Sequence, residues 1–140
     1  MMISGGKMNS EEAKKVALDL IKRHNNAIIC TLDAQNDPCM CALIMIANEG
    51  LNTIYFSTNA ETNKISNIQS NSRGSVYFYD EIEYTGVCLV GNFKIKQTEE
   101  LNYDKDILPE GIYSDNHVIL EFTPDLIRVY DCLKAATIKI

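Results

Sequence analysis

Residues 27–57 read AIICTLDAQNDPCMCALIMIANEGLNTIYFS. Ala27 to Leu32 is a short run rich in β-formers, and Asp33-Ala34-Gln35-Asn36-Asp37-Pro38 ends it with turn chemistry. Cys39 to Ala47 then forms an apolar run with small or oily side chains at every position, so neither of its faces is designed for water. Asn48-Glu49-Gly50 is a second turn, and Thr53-Ile54-Tyr55-Phe56-Ser57 a third extended run. Three strands joined by tight turns predict an antiparallel meander.

The flanks extend this pattern. Upstream, Ala13, Val16, Ala17, Leu20, Ile21 and His24 recur at helical spacing, Asn9 and Glu12 have the spacing of a capping box, and Met8 and Ala13 can close a hydrophobic staple across it. That helix stops near His24-Asn25-Asn26. Downstream, Thr58-Asn59-Ala60-Glu61 has the same capping spacing, and Ile65 and Ile68 give a short helix its buried contacts before Asn71 to Gly74 end it. Gly74 to Tyr79 and Tyr84 to Lys96 are strands, and in the second Val87, Leu89, Gly91, Phe93 and Ile95 share one face. Thr98 to Asn116 is polar and irregular. Two last strands, His117 to Phe122 and Leu126 to Tyr130, are expected on either side of a Thr123-Pro124-Asp125 break. The expected fold is mainly β, an antiparallel barrel of six to seven strands with two helices. It occupies residues 9–140, after a disordered segment or extension at 1–8 with Met8 as a possible natural start.

Composition narrows the function classes. The 140 residues are 46% hydrophobic and carry 13 basic against 19 acidic side chains, a formal charge of −6 with no Lys/Arg-rich tract. Nucleic acid and anionic lipid both require a positive field, so neither is an expected partner. No segment reaches the roughly 18 uninterrupted apolar residues of a membrane span. The N-terminus lacks an apolar signal core, and five cysteines, an odd number scattered through apolar runs, fit a reducing cytoplasm.

Classical catalytic signatures are missing: there is no His-Glu-x-x-His, Gly-x-Ser-x-Gly, Walker lysine loop or dinucleotide fingerprint. His24 is expected in the core or at a helix end, and His117 at the surface. Cys39 and Cys41 fall on one face of their strand, with no second pair or histidine at zinc spacing, so they are expected to be buried small hydrophobes and no metal is assigned. Ser57-Thr58-Asn59-Ala60-Glu61-Thr62-Asn63-Lys64 is more informative, because a strand end, a helix start and a lysine together suit an anion such as a phosphate. The same residues also describe a well-capped surface helix.

Ser57-Thr58-Asn59 followed by Lys64-Ile65, then Asn71-Ser72-Arg73-Gly74-Ser75-Val76-Tyr77-Phe78-Tyr79-Asp80, resembles the central stretch of the flavin-binding split-barrel proteins, the superfamily of pyridoxamine 5′-phosphate oxidase and the general stress proteins. The likeness continues through Tyr84 to Ile95 with its inner Gly91, Leu108-Pro109-Glu110-Gly111, and Val118 to Asp131. It implies a homodimeric split barrel holding FMN at the dimer interface. Ser57 and Thr58 would face the ribityl chain or ring edge, Asn63 and Lys64 the phosphate, and Cys41 and Ala42 the ring through their backbone. Tyr84 would be a ring or substrate contact. Departures accompany the likeness: Cys39-Met40-Cys41-Ala42 carries no phosphate-binding arginine, the protein has no tryptophan, and the sequence lacks the basic C-terminal segment of true pyridoxamine phosphate oxidases, so vitamin B6 oxidation is not expected. The expected function is an FMN-dependent oxidoreductase carrying electrons or hydride from a reduced nicotinamide to a small acceptor, the flavin supplying the chemistry and no side chain assigned as acid or base. The alternatives are a flavin, haem or deazaflavin binding or sensing protein without turnover, and a dimeric scaffold without cofactor.

Overall fold

The computed structural model describes residues 6–97 and 116–140. In chain order the elements are α1 (Ser10–Arg23), β1 (Asn26–Leu32), β2 (Pro38–Glu49), β3 (Thr53–Asn59), α2 (Asn63–Ser70), β4 (Arg73–Asp80), β5 (Thr85–Lys96), β6 (His117–Asp131) and β7 (Lys134–Lys139). The strands pair in the order β3-β2-β1-β4-β5-β6-β7, and β3 also pairs with β6, which closes β1 to β6 into an antiparallel barrel and leaves β7 as an outer strand on β6. No helix among the described residues is long and apolar enough to cross a membrane.

The meander of residues 27–57 forms as its turns dictate. Asp33 accepts from the N–H groups of Gln35 and Asp37 at 2.9 Å each, and Asn36 adopts φ 62° between them. Barrel alternation puts Phe56, Phe78, Phe122, Ile29 and Leu89 fully inside. α1 closes the core with Ala13, Ala17, Leu20 and Ile21, where burying Leu20 and Ile21 stabilises by about 1.5–3 kcal/mol each. Its start is the one read from sequence: the Asn9 side chain accepts from the Glu12 N–H at 2.9 Å, and Met8 and Ala13 are both buried.

Three expectations change. β6 is one continuous strand, not two, because Thr123-Pro124-Asp125 forms a bulge against Val90 and Gly91. A bulge is where a strand tolerates the missing N–H of a proline. Gly91 permits the crossing, since a Cβ there would stand 2.1 Å from the Thr123 carbonyl oxygen. The seventh strand is instead β7, whose sequence Lys-Ala-Ala-Thr-Ile-Lys buries only Ile138 and carries almost no β signal. Finally, α2 begins at Asn63: Thr58 and Asn59 remain in β3, and Thr62 takes the cap position. Within the 1–8 segment, Gly6 to Met8 run along β7, Lys7 bridging Ala135 and Met8 being buried. Most of the expected irregular loop Thr98 to Asn116, including Leu108 to Gly111, lies outside the described residues.

Candidate functional site

The start of α2 leaves its donors open. Thr62 turns its hydroxyl back to donate to the Asn59 carbonyl at 2.9 Å, so no side chain caps the helix. Asn59 uses its own carboxamide oxygen on the Glu61 N–H at 2.8 Å, a turn that ends β3 before the helix begins. The N–H groups of Asn63 and Lys64 consequently have no partner among the described residues, and the first turn contains no acidic side chain. α2 is pinned against the barrel by Ile65 and Ile68 and by Asn67, whose amide donates to Thr31 Oγ1 at 3.1 Å.

Lys64 completes the arrangement. Its ammonium donates to the buried Thr58 hydroxyl at 3.3 Å and has no ion-pair partner among the described residues, so two of its three donors stay available. A cleft of about 240 Å³ opens in front of it, lined by Thr31, Cys39, Met40, Cys41, Asn63, Lys64 and Asn67. Burial pushes the Cys41 thiol above its ordinary pKa, and the neighbouring Lys64 charge opposes this by a smaller amount. Open helix N–H groups, a positive dipole end and an ammonium without an ion-pair partner at one hollow are features that favour an anion.

Asn63, Lys64 and Cys41 therefore meet in one cleft, with Thr58 behind the lysine. Ala42 lies on the opposite, outer face of β2 and is exposed. Ser57 alternates with Thr58 and projects to the other side of β3, where its Oγ is buried without a partner among the described residues. Tyr84 is 76% exposed in the β4–β5 connection. Thr31 pairs with Gly74 whereas Asp80, six residues further along β4, pairs with Thr85. At roughly 3.3 Å per residue this puts Tyr84 about 20 Å from the cleft of its own chain. Cys39 corrects an expectation: it is exposed on the cleft wall rather than buried, because it stands at the exposed start of β2, directly after the Asp33–Pro38 turn. Met40, Thr31 and Asn67 were not singled out from sequence, although Asn67 follows Asn63 by four residues and so shares its helix face.

At the far end of β4 an acidic centre has been fully satisfied. Asp80 Oδ2 accepts from Arg23 Nη1 and His24 Nε2 at 2.9 Å each, and Oδ1 accepts from the N–H groups of Ile82 and Glu83 at 2.9 and 3.1 Å. These bonds, the Glu83 N–H foremost and then His24, hold its carboxyl far below the usual carboxylate range. His24 is thus the C-cap of α1, a helix-end histidine as its spacing predicts.

A sequence profile of the family described as pyridoxamine 5′-phosphate oxidase matches residues 13–131. Curated protein sequences give no match. Among solved structures, the chain is similar to a protein from Clostridium acetobutylicum described as related to general stress protein 26, with 22% identity, a TM-score of 0.79 and coverage of 94% of this chain and 97% of that one. It is also similar to a pyridoxamine 5′-phosphate oxidase-related, FMN binding protein from Nostoc punctiforme, at 12% identity and TM-score 0.67 over 95% and 99% of the two chains. A heme binding protein from Mycobacterium smegmatis aligns at 13% identity and TM-score 0.78 over 91% of this chain and 57% of that one. At these identities the structural likeness establishes the split-barrel fold. The profile match covers most of the sequence, and the chain belongs to the pyridoxamine 5′-phosphate oxidase family.

Proposed function

We propose that this chain binds FMN between two copies of itself and serves as an oxidoreductase, carrying electrons or hydride from a reduced nicotinamide to a small acceptor. The observation that carries the reading is the uncapped start of α2 with Lys64 beside it, an anion site suited to the phosphate of FMN. Asn63 and Lys64 would hold that phosphate, while β2, through Cys41 and Ala42, would offer backbone to the ring. When bound, the flavin supplies the redox chemistry; the chain orients it and keeps water from one side. Among the described residues the cleft holds a single lysine and no arginine, a thin phosphate grip, and pyridoxamine 5′-phosphate is not proposed as the substrate.

Size supports the second copy. The cleft, at about 240 Å³, is smaller than the roughly 300–1,000 Å³ of complete small-molecule sites, so one chain offers only part of the wall. Beside it, β2 turns Met40 and Ile44 outward at 69% and 57% exposure, and β4 adds the stacked rings of Tyr77 and Tyr79. An apolar sheet face of this kind is what a self-complementary dimer buries. A partner would also bring its own Tyr84 from the far end of its sheet, and the orphaned Ser57 Oγ marks a polar group that a ligand or second copy can satisfy.

The test is spectroscopic. Purified protein should be yellow, or turn so with added FMN, with one FMN per chain and a dimeric mass, and anaerobic NADH or NADPH should bleach it. Protein that ignores FMN would contradict the binding reading, and bound FMN that neither nicotinamide reduces would leave a flavin-holding protein without this activity. A haem spectrum in place of flavin would assign the fold to the other ligand.

A further inference from the structure

The exposed position of Cys39 opens a second chemistry for the cleft. Cys39 and Cys41 lie on the same face of β2, and both line it. Both thiols are free. Two residues apart on a strand, their Cα atoms are separated by roughly 6.6–6.8 Å, the upper limit of what a disulfide spans, so they are poorly placed to oxidise against one another. An ion held by two bonds of about 2.3 Å bridges that gap without moving the backbone.

The donors select the ion. Among the described residues the cleft lining has two thiols but no carboxylate and no imidazole, and the Met40 side chain belongs to the outer face of β2. Asp33, whose carboxylate receives the Cys39 thiol at 3.9 Å, stands outside the lining, as does Asp37, whose carbonyl receives the same thiol at 3.7 Å. Among the described residues no group of three or more His, Cys, Asp or Glu is placed to hold a metal, which disfavours tetrahedral zinc. Two thiolates as the direct ligands favour monovalent copper, a soft ion. Charge points the same way: two thiols that bind Cu(I) release two protons, no electron moves, and the bis-thiolate complex keeps one negative charge facing the Lys64 ammonium. A divalent ion would leave that ammonium unbalanced.

We propose that Cys39 and Cys41 form a binding site for a soft monovalent cation of the Cu(I) class. The site shares Lys64 with the proposed phosphate position, so Cu(I) and FMN compete for the cleft, but the metal site stands without the flavin.

The experiment titrates the purified full chain with Cu(I), supplied anaerobically as its bicinchoninate complex, with and without FMN. One Cu(I) per chain is expected. Outer-shell changes alone weaken metal sites by about 10- to 100-fold, so losing a direct ligand in Cys39→Ser should weaken binding by at least about 100-fold. Cys132→Ser, at an exposed thiol elsewhere, should leave it unchanged. Because Cys41 is half-buried and its replacement can disturb folding, wild-type protein supplies a second readout: bound Cu(I) should protect Cys39 and Cys41 from iodoacetamide, seen by mass spectrometry, without protecting Cys132. Equal affinity in wild type and Cys39→Ser, or no protection of these two thiols, overturns the proposal, whether or not the protein binds FMN.

Discussion

The two helices start in opposite ways. α1 satisfies its own N-terminus: Asn9 accepts from the Glu12 N–H, and Glu11 and Glu12 place carboxylates against the positive dipole end. α2 does none of this: Thr62 points its hydroxyl elsewhere, the first turn has no acid, and Lys64 adds a second positive charge. A helix that needed only to fold would resemble α1. Leaving α2 uncapped costs about 1 kcal/mol, and under the proposed function its open N–H groups are the partners of the FMN phosphate.

Substitutions can break that comparison. Reversing the charge in Lys64→Glu should weaken FMN binding by about 100-fold, a loss of about 2.7 kcal/mol, while urea denaturation changes little because the side chain is part-exposed. Thr62→Asp gives α2 the cap that α1 has. It should raise folding stability by about 0.5–1 kcal/mol and weaken FMN binding by about tenfold, and this opposition of signs is the sharpest mark of a ligand site. Asn9→Ala removes the cap of α1 and should cost about 1 kcal/mol in denaturant melts with no effect on FMN affinity.

The far end of β4 gives the smallest and most pH-bound expectation. The Asp80 carboxyl is lowered in the fold, so its contribution is present at neutral pH and is lost as the pH falls below about 4, the unfolded value, towards the folded one. Thermal melts between pH 5 and pH 2 should therefore show wild type losing stability faster than Asp80→Asn. Identical slopes would mean that the hydrogen bonds to the Asp80 carboxylate, from the Glu83 and Ile82 N–H groups, His24 and Arg23, contribute nothing in solution.

Much of this was legible in the sequence. The meander, the Asn9 cap and the α1 stripe follow from turn chemistry and periodicity, signals confined to a few neighbouring residues. Pro124 misled because a proline in a strand reads as a break, whereas the strand continues through a bulge that Gly91 on the facing strand makes room for. β7 was invisible because a strand paired on β6 and bridged by Lys7 needs only one buried residue, Ile138. At the proposed site, the residue types at 57–64 suit an anion, but the capping spacing at Thr58 sets the helix four residues early. Side-chain direction was the other limit: Ser57 and Thr58 are neighbours in sequence yet face opposite sides of β3, and Tyr84 belongs to the far end of the sheet. Cys39 reads as buried because apolar runs are usually covered, but the first residues of β2, beside the turn, are exposed.

The claim that the open start of α2 is a phosphate site is tested most directly by comparing FMN with riboflavin, which lacks only the phosphate. Fluorescence-quenching titrations should find FMN bound about 100-fold more tightly than riboflavin by the wild-type protein, with the difference largely lost in Lys64→Ala. Equal affinity for the two flavins in the wild type, or an undiminished preference for FMN without Lys64, would contradict it.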